Sequence, residues 1–237
     1  MAASRESSRE PGGGIVRTFS TTMQAPAELA WEALRDLRQY PAVFGNIVQV
    51  DVLDAKGAVV FKREDANESQ YIKAGMTYVE HNQMSADDQL YKFRIKVTRA
   101  DPCEFTAANN YQSTSVLSPQ NFYVFCTITS TQTVEKVVAG VNDTETGDDG
   151  TITVVNGEAC RLIWSYALIP NNWLAKIRLL LVRNRLRRLL DMMYLEDMAD
   201  YKRAVELRYK KQLEEQQEGA KANSTQTGTS DETALEP

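Results

Sequence analysis

Residues 15–37 read IVRTFSTTMQAPAELAWEALRDL, and this stretch sets the class of the fold. Ile15 to Met23 is rich in β-branched residues, which suit a pleated, half-buried surface and predict a strand. Pro26 follows where a first helical turn begins, a place where its missing N–H costs nothing. Ala27, Ala30, Trp31 and Leu34 then recur at steps of three and four, one buried helical face. Pro41 interrupts, and Tyr40, Val43 and Phe44 cap a short second helix. The chain thus opens with a strand that feeds helices, not a hairpin.

Strands dominate the middle. Asn46 to Leu53 alternates Val48, Val50 and Val52 with Gln49 and Asp51. From Leu90 to Arg99, Tyr91, Phe93, Ile95 and Val97 face one way and Lys92, Arg94, Lys96 and Thr98 the other, the pattern of a half-buried antiparallel sheet. Asp101-Pro102 predicts a turn into a strand from Cys103 to Gln112. Phe122 to Val134 and Cys160 to Ile169 read as further strands, the last carrying Cys160, Leu162, Trp164, Tyr166 and Leu168 on one side. Met76 to Met84 reads as a strand, and Ala58 to Lys73 as an extra hairpin or a loop. Between Val137 and Gly157 lies a hairpin-like insert. Its acidic, glycine-rich tip, 142–150, fits a solvated turn and lacks the ligand spacing of an EF-hand.

A single long helix closes the domain from about Trp173 to Glu215. Its stripe is Leu179, Leu186, Leu190, Tyr194, Met198, Tyr201 and Val205. Val182, Leu189 and Met193 widen it, which predicts deep cover along the middle. From 184 to 215 it would span roughly 48 Å, against a diameter of about 40 Å for a domain of this size, so its last turns should overhang. Residues 1–14 read as a flexible leader, 15–215 as one domain, and 216–237 as a disordered polar tail.

Bulk composition narrows the function. A net charge of −5 argues against nucleic acid as a partner. The three cysteines, Cys103, Cys126 and Cys160, are odd in number and widely spaced. They predict buried free thiols, a reduced, cytoplasmic compartment and no metal site. No apolar run approaches the ~20 residues of a membrane span. No cofactor motif occurs.

Met23 to Asp36, MQAPAELAWEALRD, resembles the opening of the START/polyketide-cyclase superfamily, also called SRPBCC or the helix-grip fold. Tyr40-Pro41 with Phe44, then Val48 and Val50, resembles its next segment. Asp101-Pro102 matches an acidic-Pro corner, and Asp197 to Lys202 the end of its last helix. The likeness spans about 15–208 and is strongest over its first 40 residues. The 137–157 insert and the segment between Gly57 and Gly75 depart from the pattern. The resemblance implies an α+β helix-grip fold: a curved antiparallel sheet of about seven strands wrapped on a long C-terminal helix, with two short helices after the first strand. It also implies a hydrophobic pocket for a lipid, sterol, quinone or polyketide-like molecule. No universal catalytic residue comes with it.

Phe93, Ile95, Phe122, Val124, Trp164, Tyr166, Leu190 and Tyr194 are the apolar candidates for the pocket wall, and an ordinary filled core would use the same residues. Asn109 and Tyr111 are polar candidates. His81 is the only histidine, so a general-base scheme runs through it, against the plainer reading of a structural histidine. Tyr78, Asn109, Tyr111 and Tyr166 could polarise a carbonyl, or could be sheet residues whose polar tips find backbone or water. Glu80 and His81, adjacent on a strand, point to opposite faces. Lys176, Arg178, Arg183, Arg185, Arg187 and Arg188 cluster without an acid between Trp173 and Leu190. With Trp173 and Leu174 they fit an anionic membrane surface, or a solvated basic face. The leading expectation is a non-enzymatic protein that binds or transfers a hydrophobic small molecule. A cyclase-like enzyme and a pure interaction module are the alternatives.

Overall fold

In the computed structural model, the residues described are 4–6, 14–62, 71–83, 90–103, 110–119, 126–137 and 159–226. Asn109, Phe122, Val124 and the acidic tip at 142–150 lie outside them.

Among the described residues nine strands form a single sheet. They are β1 (Ser4–Glu6), β2 (Ile15–Met23), β3 (Ile47–Leu53), β4 (Val59–Lys62), β5 (Thr77–Asn82), β6 (Tyr91–Cys103), β7 (Asn110–Pro119), β8 (Cys126–Val137) and β9 (Ala159–Pro170). Their order is β1-β2-β9-β8-β7-β6-β5-β3-β4, and every pairing is antiparallel. Eight strands from Ile15 onward thus replace the expected seven or so. The additions are at the margins: β4 pairs at the β3 edge, and β1 pairs on β2.

The sequence periodicity explains the sheet's faces. On β6, Ile95 and Val97 are buried while Lys92, Arg94 and Lys96 are exposed. On β9, Cys160, Leu162, Trp164, Tyr166 and Leu168 are all buried. A side-chain period of two puts each set on one face.

Two expected boundaries move. Asp101-Pro102 is not a turn: β6 runs through it to Cys103, with Pro102 opposite Tyr111. A proline is tolerated near a strand end because only one ladder bond is lost there. Of the strand expected over Cys103–Gln112, Asn110 to Gln112 belong to β7, which runs on to Pro119; that expected over Phe122–Val134 is present from Cys126, and residues 104–109 and 122–125 lie outside the described residues.

Helix α1 (Ala27–Arg35) starts at Pro26, which occupies the N-cap. It buries Ala27, Leu29, Ala30, Trp31, Ala33 and Leu34, a stripe wider than the four residues that mark its period. Asp36 ends it and caps a short 3-10 turn over Leu37–Gln39, its carboxylate accepting from Arg38 N at 3.2 Å. Helix α2 (Tyr40–Val43) then delivers the chain to β3.

Helix α3 (Trp173–Gln226) lies across the sheet. Leu179, Leu190, Tyr194, Met198, Tyr201 and Val205 are buried against it. Past Tyr209 every residue through Glu218 is exposed, so the end of the helix overhangs. The helix continues to Gln226, into the segment whose composition suggests a polar tail. Deep cover of the middle is not found. Val182 is exposed, and Leu189 and Met193 are only half-buried. The sheet reaches one side of the helix only, leaving Val182 outside the contact, while Met193 stands at its edge.

Candidate functional site

Between α3 and the inner face of the sheet lies a cavity of about 80 Å³, room for several waters or part of a small molecule. Period-two geometry supplies its walls. Tyr78, Glu80 and Asn82 come from β5, Phe93 and Ile95 from β6, Ser115 and Leu117 from β7. Ile128, Ser130 and Gln132 come from β8, and Trp164 from β9. Leu190, Met193, Tyr194 and Asp197 close the cavity from α3, at spacings of three, four and seven that share one helical face. Tyr40, Phe44, Asn46 and Ile47 close it from α2 and the start of β3.

Hydrogen bonds and ring contacts fix this wall. Tyr40 Oη donates to the Leu34 carbonyl at 2.8 Å, and its ring meets Tyr78 edge-on with centroids 6.4 Å apart. Trp164 Nε1 donates to Ser130 Oγ at 2.8 Å. The Trp164 ring packs edge-on against Tyr194 at 5.4 Å and Phe44 at 6.3 Å. Rings locked in this way cannot easily collapse inward, so the space persists.

The wall has a polar end. Burial pushes the Glu80 carboxyl up to about 8, aided by the Asp197 charge and opposed by the Asn82 amide. Burial likewise raises Asp197 to about 7, aided by the Asp200 and Glu196 charges and opposed by Asn46. Desolvation disfavours the ionised form of both groups, and neighbouring carboxylates add to it, Asp197 for Glu80 and Asp200 with Glu196 for Asp197. Among the described residues no Lys, Arg or His lines the cavity to offset them. Asn82 Nδ2 and Asn46 Oδ1 are buried without hydrogen-bond partners. The site can therefore hold an apolar body and bond a polar end.

Of the residues expected at the pocket, Phe93, Ile95, Trp164, Leu190 and Tyr194 line it. Tyr166 does not; it donates from Oη to Asp191 Oδ1 at 2.9 Å, between β9 and α3. Tyr111 is stacked on Trp31, with centroids 5.6 Å apart, between β7 and α1. His81 points away from Glu80, to the other face of the sheet, with Nε2 2.9 Å from Asp51 Oδ2. Burial raises the Cys126 thiol to about 11 and Cys160 to about 12, the state of inert core thiols. Among the described residues no group of His, Cys, Asp and Glu could hold a metal ion.

Glu80, Asn82, Asn46 and Asp197 are the wall residues that residue type alone does not bring out. A signal existed: Glu80 and Asn82 share Tyr78's face, and Asp197 falls on the stripe of Leu190 and Tyr194. A polar residue at an inward position is worth more notice than an apolar one.

A second surface stands out on α3. Trp173 is 70% and Leu181 82% exposed, with Leu174, Ile177 and Leu180 also open to solvent. At about 100° per residue, Trp173, Ile177, Leu180 and Leu181 share the face opposite buried Ala175 and Leu179. Exposed Lys176 and Arg178 flank it on either side. Arg185 is exposed and Arg183 half-buried. Among the described residues no helix is long and apolar enough to cross a membrane.

No protein-family model matches the chain, and no curated protein matches it. Among solved structures, it is similar to a hypothetical protein from Helicobacter pylori, with a TM-score of 0.50 and 7% identity, over 79% of this chain and 86% of that one. A conserved protein from Geobacillus kaustophilus matches with a TM-score of 0.43 and 12% identity, over 80% and 94% respectively. The first likeness is one of fold. The antiparallel sheet with its long C-terminal helix is an α+β arrangement consistent with a helix-grip-like fold.

Proposed function

We propose that the chain is a START/SRPBCC-like binding module that carries a hydrophobic small molecule between sheet and closing helix. The observation that supports this most is the cavity itself, walled by aromatic and aliphatic side chains yet left open between them. Burial of guest surface drives binding at roughly 25 cal/mol per Å². The polar end sets orientation. Native mass spectrometry of gently purified protein, followed by solvent extraction, tests the reading. A stoichiometric apolar molecule is expected; protein with no adduct, and none taken up from added lipid extract, would contradict it.

The outward face of α3 supports docking of the same module on an anionic membrane. Trp173, Leu174 and Leu181 enter the interface, and Lys176, Arg178, Arg183 and Arg185 meet the headgroups. Such basic residues contribute on the order of 1 kcal/mol each.

Glu80 and Asp197, which exchange protons near neutrality inside an apolar site, favour one second reading. On it the scaffold is a cyclase- or dehydratase-like enzyme with these carboxyls as proton carriers. Turnover of a polyketide-like substrate that survives Glu80→Gln and Asp197→Asn would rule that reading out.

A further inference from the structure

At the polar end of the cavity, three elements bring acceptors to one place. Ile47 pairs with Asn82, and Gln83 N donates to the Asn46 carbonyl at 2.8 Å, so β3 and β5 set the two asparagines side by side. Glu80 stands one inward position along β5 from Asn82. Asp197 comes down from α3 on the same wall.

Asn82 is 5% exposed, and its Nδ2 has no partner within hydrogen-bond distance among the described residues, although the amide stands close enough to the Glu80 carboxyl to oppose its rise. A donor buried to that extent and aimed into a cavity costs stability unless an occupant accepts from it. Asn46 is half-buried, and its Oδ1 is a covered acceptor without a partner among the described residues. One amide oxygen therefore asks for a donor and one amide nitrogen for an acceptor, and the two carboxyls beside them have oxygens free to accept further bonds. Among the described residues no cationic side chain is present to answer the carboxyls.

Resting on the binding reading above, we propose that the guest's polar end is a primary ammonium beside an oxygen, an amino-alcohol amphiphile. Glu80, Asp197 and Asn46 Oδ1 accept from the ammonium, and the oxygen accepts from Asn82 Nδ2. A primary ammonium carries three donors, which matches the three acceptors in number. The Tyr78 and Tyr194 rings beside the carboxyls add faces that attract a cation. A carboxylate or phosphate headgroup is rejected, because among the described residues no cation lines the site to offset the cost of desolvating it. The apolar wall takes the tail.

Calorimetric titration with three matched probes tests this: 2-aminooctan-1-ol, octan-1-ol and octanoate, each below its micellar concentration. The amino alcohol is expected to bind on the order of tenfold or more tightly than the alcohol, and octanoate not at all. Glu80→Gln with Asp197→Asn should bring the amino alcohol's advantage over the alcohol from tenfold or more down to near unity, with circular dichroism confirming the fold. Equal binding of amino alcohol and alcohol, tight binding of octanoate, or an unchanged preference in the variant overturns the ammonium assignment and leaves the cavity reading standing. Binding of none of the three overturns the assignment together with the reading it rests on.

Discussion

Arg17 on β2 and Asp191 on α3 form a buried two-point ion pair: Nε donates to Oδ1 at 3.1 Å and Nη2 to Oδ2 at 3.0 Å. Both side chains are almost wholly covered. Tyr166 joins from β9, so one carboxylate ties the closing helix to two strands. The hydrogen bond to Asp191 is the main cause holding the Arg17 guanidinium above its ordinary value. The clamp sits beside the cavity, where Tyr166 and Tyr194 rings lie 4.7 Å apart, and fixes the height of α3 over the sheet.

Removing one partner leaves a buried charge, so Asp191→Leu should cost about 3–5 kcal/mol of stability. Arg17→Met with Asp191→Leu should recover much of that, since replacing both charges by apolar groups removes the desolvation penalty. Urea unfolding of the three proteins checks this. A single-variant loss below about 1 kcal/mol would mean that the pair is solvated and no clamp.

The two raised carboxyls give stability an unusual pH slope. In the unfolded chain such groups ionise near pH 4; folded, Glu80 keeps its proton to about 8 and Asp197 to about 7. The native state binds more protons across that window, so stability falls as pH rises from about 4 toward the folded values. Each group contributes a slope approaching about 1.4 kcal/mol per pH unit. Glu80→Gln should flatten the profile and make the protein more stable than wild type at pH 8 to 9. Thermal midpoints measured from pH 5 to pH 9 decide it, and parallel profiles would show that the carboxyls ionise freely.

His81 and Asp51 face away from the cavity. His81→Asn should therefore leave guest retention unchanged, and any turnover with it. A loss of either in correctly folded variant would place the functional site on the other side of the sheet.

The alternation of Tyr91 to Arg99 and the stripe of Leu190, Tyr194 and Tyr201 made the sheet and its gripping helix legible, because each is a simple period with one dry side. The first turns of α3 misled for the same reason: Val182 continues an apolar pattern that no partner covers. Composition states how apolar a face is, not what meets it. The Asp101-Pro102 corner also misled, since a proline near a strand end is compatible with a turn or a continued ladder. At the site, Phe93, Ile95 and Trp164 could be read because apolar walls follow period. The polar end could not, because it forms only when Asn46, Glu80 and Asp197 converge from separate elements, and pairing register is invisible in local sequence.

The outward face of α3 offers its own test. Lys176→Glu with Arg178→Glu should abolish flotation with phosphatidylserine vesicles at low salt, and rising salt should do the same to the wild type. Wild-type protein that stays unbound at low salt removes the docking idea without touching the cavity.

Ile128 borders the cavity from β8, so Ile128→Phe fills the space without disturbing the polar end. Native mass spectra of wild type and this variant, purified identically and exposed to the same lipid extract, compare them directly. The account predicts one apolar adduct per wild-type chain, absent from a variant with an unchanged thermal midpoint. An adduct kept equally by both proteins would place the guest elsewhere, and contradict it.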